Sequence, residues 1–359
     1  MVIHSIAELS NQIKEFAREA GFELSGIAPI GDFAELEQFP KWVEDGHAGE
    51  MEYLKARNDS GQLKRSSPRE TFPWARSVIV CAVNYNTAQP YSIENHDPSR
   101  GWIARYAWSK DDYHQVVLGT LKQVEQKLKD VTDDIQTRCY VDTGPVVERI
   151  YAKYAGVGWI GKNTCILNQK LGSWLFLGVI LTSLELQPDL PAPDRCGSCT
   201  RCIQACPTEA LIAPYQLDST KCISYLTIEK RGTIPEEMRA GLGRHVFGCD
   251  ICQDVCPWNR KSPATTAGEF QPREGLVNPA LEWLAELTEE EFQDAFRGSP
   301  IKRSKRTGLR RNVVLAMGNS GDERFAPVLT KLSFDEDPLV SDSATWALRR
   351  LSGASTKLA

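Results

Sequence analysis

The stretch CGSCTRCIQACP (Cys196–Pro207), a lone Cys222, and then CDICQDVCPWN (Cys249–Asn259) decide how this chain is organised. Eight of its eleven cysteines fall here. A [4Fe–4S] cube needs four thiolates around one volume. C-x2-C spacing supplies several from one turn of backbone, and a distant cysteine closes the cube. In two-cluster proteins the fourth cysteine of each run ligates the other cluster. That rule places Cys196, Cys199, Cys202 and Cys256 on one cluster, and Cys206, Cys222, Cys249 and Cys252 on the second. The second run departs from the usual pattern, because its first cysteine is displaced to Cys222. C-x2-C spacing also suits zinc. A C-x3-C-P ending that occurs twice is explained by iron–sulfur chemistry and not by zinc.

The first run matches that of bacterial ferredoxins, so a ferredoxin-like two-cluster domain is expected. The whole chain has 359 residues, room for two or three domains. It is 42% apolar and 25% charged, as ordinary globular proteins are. Its longest strongly apolar run, Trp174–Leu181, is far too short to span a bilayer. Glu8 and the lack of a basic n-region argue against a signal peptide. Cysteines at metal-ligand spacing then point to a reducing cytoplasm rather than a disulfide framework. The net charge of −5 does not by itself predict nucleic-acid binding.

Upstream of the cysteines, Ile6, Leu9, Ile13, Phe16 and Ala20 recur at helical spacing, and Gly21 follows as a stop. Phe22–Pro29, Ser77–Val83, Ile135–Val141 and Trp174–Leu181 read as strands. Tyr113–Lys129 reads as a helix, and Pro145 suits the first turn of another running to about Ala155. Strands alternating with helices imply an α/β or α+β domain over residues 1–187. Pro188–Pro193 is a linker into the cluster domain, 188–261. From 275 to 359 the chain becomes helical. Segments 312–318, 325–332 and 344–351 read as short amphipathic helices, and 310–318 and 342–351 resemble halves of HEAT-type repeats, which stack as small solenoids.

Two long motifs now carry a resemblance. Gly156-Val157-Gly158-Trp159-Ile160-Gly161-Lys162-Asn163-Thr164 with Gly172-Ser173-Trp174, and the Cys249–Asn259 stretch, are similar to the signatures of the epoxyqueuosine reductases. Asp142 in Val141-Asp142-Thr143-Gly144-Pro145 and the helical tail lie where that family has them. The resemblance covers essentially the whole chain. It implies an α+β fold: a nitroreductase-like α/β domain that holds cobalamin, a two-cluster domain, and C-terminal HEAT-like helices. It also implies an oxidoreductase of tRNA processing that reduces the epoxide of epoxyqueuosine, at the tRNA wobble position, to queuosine. That is the last step of queuosine biosynthesis. Related corrinoid enzymes, the reductive dehalogenases, supply an alternative reading: chemistry on a small molecule. A non-catalytic two-cluster electron carrier is a third, but leaves the first ~185 residues without a task.

Epoxide deoxygenation consumes two electrons and two protons. Side chains are poor one-electron carriers, so cofactors must do that work, and a general acid must serve the departing oxygen. Asp142, at a strand end, is the candidate acid; the plainer reading makes it a helix cap. Asp112-x-His114 comes close to a corrinoid lower-ligand motif but lacks its glycine, and reads as a helix start. The resemblance implies base-off cobalamin without a histidine ligand. Arg57, Asp142, Lys162, Asn163, Ser173, Ser224 and Asp250 are carried over as cobalamin contacts. Cys81 and Cys139 read as buried structural residues, and Cys165 as a possible pocket lining. Lys302, Arg303, Lys305, Arg306, Arg310 and Arg311 crowd ten residues without an acid. Such a run can neutralise phosphates of a tRNA. Trp102, Tyr106 and Trp108 read equally as stacking residues for a splayed base or as core packing. The expected partners are a tRNA bearing epoxyqueuosine and a low-potential flavodoxin- or ferredoxin-like donor, with no membrane and a monomeric chain.

Overall fold

The computed structural model describes residues 5–355. Helix α1, Ile6–Ala20, starts where the Ser5 hydroxyl accepts a hydrogen bond from the Glu8 amide, and ends where Gly21 takes a left-handed φ of 109°. Strands β1 (Leu24–Pro29) and β2 (Ser77–Asn84), helix α2 (Tyr113–Val131), strand β3 (Thr137–Tyr140), helix α3 (Glu148–Tyr154) and strand β4 (Leu175–Thr182) follow. The four strands form one antiparallel sheet in the order β1-β2-β4-β3. β2 is buried along its whole length. Ile79, Cys81 and Val83 face α1 and α2, whereas Val78, Val80 and Ala82 face α3. A strand covered on both sides reads as a continuous apolar run, which is why SVIVCAV announced itself in the sequence. Two glycines let the layers close. A Cβ on Gly178 would lie 2.6 Å from Leu121 of α2, and one on Gly26 1.9 Å from the Ala155 carbonyl at the end of α3.

The helix expected from Pro145 begins only at Glu148. Residues 142–147 are instead folded back on Tyr140, so tightly that a Cβ on Gly144 would sit 2.3 Å from that ring. The chain needs this reversal before it can start the helix.

A second core joins stretches that are far apart in sequence. Trp102, Ile103 and Trp108 pack with Leu226, Val246 and Phe247 of the cysteine-rich region. The same core takes in Leu309, Val313, Val314 and Ala347 of the C-terminal helices. Strand His245–Phe247 pairs in parallel with Trp102–Ile103. Helices α4 (Lys305–Ser320), α5 (Ala326–Leu332) and α6 (Pro338–Ser355) close the chain. α4 lies against α6 closely enough that a Cβ on Gly318 would meet the Ala347 Cβ at 2.6 Å. Among the described residues no helix is long and apolar enough to cross a membrane.

Trp102 and Trp108 are core residues, each 1% exposed and edge-to-face at 5.3 Å, and are not free to stack on a base. Arg311, expected on an RNA-binding face, is also buried. Its guanidinium donates to the carbonyls of Leu226, Lys230 and Gly232. It thereby joins α4 to the cysteine-rich region. Arg310 is half-buried in a 2.6 Å ion pair with Asp335.

Candidate active site and cysteine groups

Asp142 leaves the end of β3 with φ at 56°, in the left-handed region where non-glycine residues are uncommon. Its side chain is 69% exposed. It caps no helix: the residue before α3 is Val147, which makes no side-chain cap. Instead the Tyr113 hydroxyl donates to Asp142 Oδ2 at 2.9 Å. His114 Nε2 lies 3.9 Å from the same oxygen, and His114 Nδ1 lies 2.7 Å from Asp112 Oδ1. Asp112 also accepts from the His114 amide as the N-cap of α2. The helix start read from the sequence is therefore also what places Tyr113 and His114 beside Asp142. Tyr113 is held between His114 and Phe176, whose ring stacks on it at 4.3 Å. Burial, reinforced by Asp142, pushes the Tyr113 phenol far above its ordinary range, so it stays a donor.

A second wall comes from distant segments. Arg303 Nε pairs with Glu229 Oε1 at 2.6 Å, and its guanidinium lies 5.2 Å over the Tyr53 ring. Desolvation raises the Tyr53 phenol; Glu229 and Asp142 act in the same direction, and Arg303 and Arg65 oppose it. Glu148 sits behind Asp142 with Oε1 buried and unpartnered. Burial, with the Asp142 charge adding to it, pushes its carboxyl up to about 7, against Arg65 and Arg149. None of Tyr53, Arg65, Tyr113, Glu148 or Glu229 was singled out from sequence. A lone acid at a helix start, or a tyrosine in a short turn, carries no periodic signal.

All eleven cysteines are free thiols. Cys196, Cys199, Cys202 and Cys256 line one cavity together with Lys162, Asn163 and Trp258. Burial, then Cys196 and Cys202, push the Cys256 thiol up to about 11. Cys222 and Cys249 lie deeper; burial raises both thiols, with Cys206 acting on each and Cys222 on Cys249. Cys252 is raised first by a hydrogen bond with Cys165, then by burial, with Cys249 and Cys222 adding. Cys165 thus touches the inner group, not an open pocket. Cys81 and Cys139 lie in β2 and β3, where burial pushes the Cys139 thiol up to about 12 and that of Cys81 higher still. Among the described residues no three His, Cys, Asp or Glu side chains gather as ligands of a single metal ion. Two groups of four thiols fit two cubes, each larger than a zinc ion's tetrahedron.

Tyr106 connects the deeper group with Asp142. Its ring lies 3.6 Å from where a Cβ on Gly248 would be, next to Cys249, and packs edge-on against Tyr113 at 5.8 Å. Burial, then the charges of Asp142 and Asp250, hold its phenol protonated.

Several expected cofactor contacts are used within the protein. Lys162 Nζ donates to the Gly197 and Cys199 carbonyls at 2.6 and 3.0 Å, and so clamps the outer cysteine loop. Asn163 reaches the Cys252 carbonyl at 3.3 Å. Ser173 exchanges hydrogen bonds with Asn259 and donates to Gln253. Asp250 is buried and accepts from Trp102 Nε1 and the Arg105 amide. Arg57 closes its own loop on the Gly61 carbonyl. Ser224 follows Cys222 and bonds to that thiol. Asp142 and Arg57 are exposed, and Ser224 is half-buried beside Cys222.

A family model described as "Epoxyqueuosine reductase QueG, DUF1730" matches residues 65–143. One described as "4Fe-4S double cluster binding domain" matches residues 195–259. The chain is 38% identical to the epoxyqueuosine reductase of Xanthomonas campestris pv. campestris over 340 residues, 94% of each chain. It is 44% identical to that of Synechocystis sp. over 292 residues, 80% of this chain and 98% of the relative. Among solved structures, epoxyqueuosine reductase with a tRNA-Tyr epoxyqueuosine-modified stem loop superposes with a TM-score of 0.87 at 30% identity. The match covers 97% of this chain and 91% of that one. The Bacillus subtilis enzyme, solved with an aspartate-bearing catalytic loop swung out of the active site, superposes with a TM-score of 0.86 at 30% identity, with the same coverage.

Proposed function

The chain belongs to the epoxyqueuosine reductase family, and on that premise we propose that it reduces the epoxide of epoxyqueuosine in a tRNA anticodon to the alkene of queuosine. One observation carries the reading to residues. Asp142 is an exposed carboxylate in a strained turn, fixed by Tyr113, and Tyr106 links it to the deeper cysteine group. An acid and an electron source thus meet on one open face.

Two [4Fe–4S] clusters fit the two groups of free thiols: Cys196, Cys199, Cys202 and Cys256 outside, Cys206, Cys222, Cys249 and Cys252 inside. Cobalamin fits the Asp142 face by its chemistry. Tyr53, 46% exposed, and the partly buried Tyr106 offer aromatic surface, and the buried Glu148 Oε1 lacks the donor that a corrin amide brings. Bound there, a corrinoid supplies the low-potential centre at which the carbon–oxygen bonds are broken. Ser224 and Asp142 are its neighbours in this reading; Lys162, Asn163, Ser173 and Asp250 act by holding the cysteine loops.

The protein's own work is proton handling and positioning. Asp142 delivers a proton to the departing oxygen, and Tyr113 keeps the carboxyl aimed at it. His114, backed by Asp112, stands close enough to reload Asp142 for the second proton. The base reaches this face splayed from its loop. Lys302, Arg303, Lys305 and Arg306 are the basic residues placed to meet the tRNA backbone, on a helical tail that we read as HEAT-like.

The test is anaerobic turnover of tRNA bearing epoxyqueuosine, with clusters reconstituted and cobalamin added, read by nucleoside mass spectrometry. Loss of one oxygen that requires cobalamin, and falls at least about a hundredfold in Asp142→Ala with cluster content unchanged, is expected. Cobalamin binding with the tRNA left untouched would overturn the proposal.

A further inference from the structure

The outer cysteine group stands at the surface. Cys196, Cys199 and Cys202 are only half-buried. Arg201, Lys162 and Trp258 share the walls of their cavity, and Trp159 braces Trp258 edge-on at 5.1 Å. Bases gather in the segments around this opening. From Asp189 to Glu209 the bases are Arg195 and Arg201 and the acids Asp189, Asp194 and Glu209, of which Asp189 is paired with Lys14. Asp194 is occupied, accepting from the Cys196 amide and the Tyr215 hydroxyl. From Cys256 to Ala267 there are Arg260 and Lys261 and no acid, and Lys170 follows Lys162 in a third acid-free segment. Arg195, Arg201, Arg260, Lys261 and Lys170 are all exposed. The chain as a whole carries −5, so this basic face runs against the average.

Apolar side chains complete it. Leu190 is 87% exposed, and Tyr215, whose hydroxyl donates to Asp194, is 43% exposed. A small apolar centre with a charged rim suits a weak, fast, electrostatically steered encounter of the kind electron carriers make.

We propose that this face is the docking surface of an acidic one-electron carrier protein that reduces the outer cluster. Each encounter oxidises the carrier by one electron and reduces the cluster by one. Two encounters supply the two electrons that one epoxide consumes. The proposal rests on the iron–sulfur reading and is independent of the reaction on tRNA.

The experiment uses the full chain with both clusters reconstituted, and no RNA. Stopped-flow bleaching of the cluster absorbance is followed with reduced flavodoxin as carrier, and separately with photoreduced deazariboflavin, a small neutral reductant. In the triple variant Arg195→Glu, Arg260→Glu, Lys261→Glu the rate with flavodoxin is expected to fall about tenfold or more at low salt. The gap should close as ionic strength rises. The rate with deazariboflavin should stay as in the wild type. The corresponding triple glutamine variant should lie between. An unchanged flavodoxin rate, or a loss that salt does not diminish, would overturn the proposal. So would a variant that keeps its flavodoxin rate but loses affinity for a tRNA stem loop, which would assign the face to RNA instead.

Discussion

Asp142 and Glu148 are two carboxyl groups six residues apart whose surroundings treat them differently. Asp142 is exposed and fixed by a tyrosine; Glu148 is enclosed, with one oxygen unpartnered. The pH dependence of stability follows from Glu148. Its carboxyl rises from an ordinary 4.5 to about 7, so between those values the folded chain binds more protons than the unfolded one. The stabilisation is fully present below 4.5 and is lost as pH rises through about 7. Glu148→Gln should remove the slope. Relative to the variant, the wild type should lose about 2 kcal/mol across that window, allowing for Glu148's partial exposure, as measured by denaturant melts at several pH values. Arg65, Arg149 and Asp142 are the charges facing it, and Asp142→Asn should therefore lower the Glu148 pKa.

At the level of elements, single side chains decide how segments are joined. Lys162 ends the Gly156–Lys162 stretch by holding two carbonyls of the outer cysteine loop. Lys162→Met removes both donors. It should leave the protein folded but short of about half its iron, with the outer cluster's electron paramagnetic resonance signal lost first. Arg311 does for α4 what Lys162 does for the loop. Arg311→Met removes a donor from one buried and two half-buried carbonyls and should cost ~3 kcal/mol in chemical denaturation. The folded fraction should bind the tRNA stem loop with unchanged affinity.

Across the whole molecule, the basic run keeps Lys302, Arg303, Lys305 and Arg306 once Arg310 and Arg311 are set aside; of these Arg303 pairs with Glu229 and Arg306 Nε donates to the Leu287 carbonyl. A salt titration of stem-loop affinity checks them together. Each phosphate contact removed should make the slope of log K against log salt less negative by about 0.7–0.9. Lys302→Ala and Lys305→Ala should each show that change, and Arg311→Met none. The two proposals put two basic faces on the molecule, one on the C-terminal helices and one around the outer cysteines. Their substitutions should separate RNA affinity from cluster reduction.

The amino-acid sequence by itself determined what depends on spacing along the chain. The central strands were legible because runs such as SVIVCAV are buried on both faces. The cysteine groups were legible because thiols within one turn of backbone converge whatever surrounds them, and the family because its long motifs are contiguous. Asp142 was legible through its motif, but not its partners. Tyr113 and His114 meet it only because a helix N-cap 30 residues upstream packs beside the end of β3. Arg303 and Glu229 reach the same face through a core shared by three stretches of chain. The sign of a charge is written in the sequence, but its partner is not. Arg311 and Lys305 look alike in a basic run, and only folding sends one guanidinium to main-chain carbonyls and leaves the other ammonium in water. That difference is one of desolvation, which belongs to the packed molecule and not to any stretch of its chain.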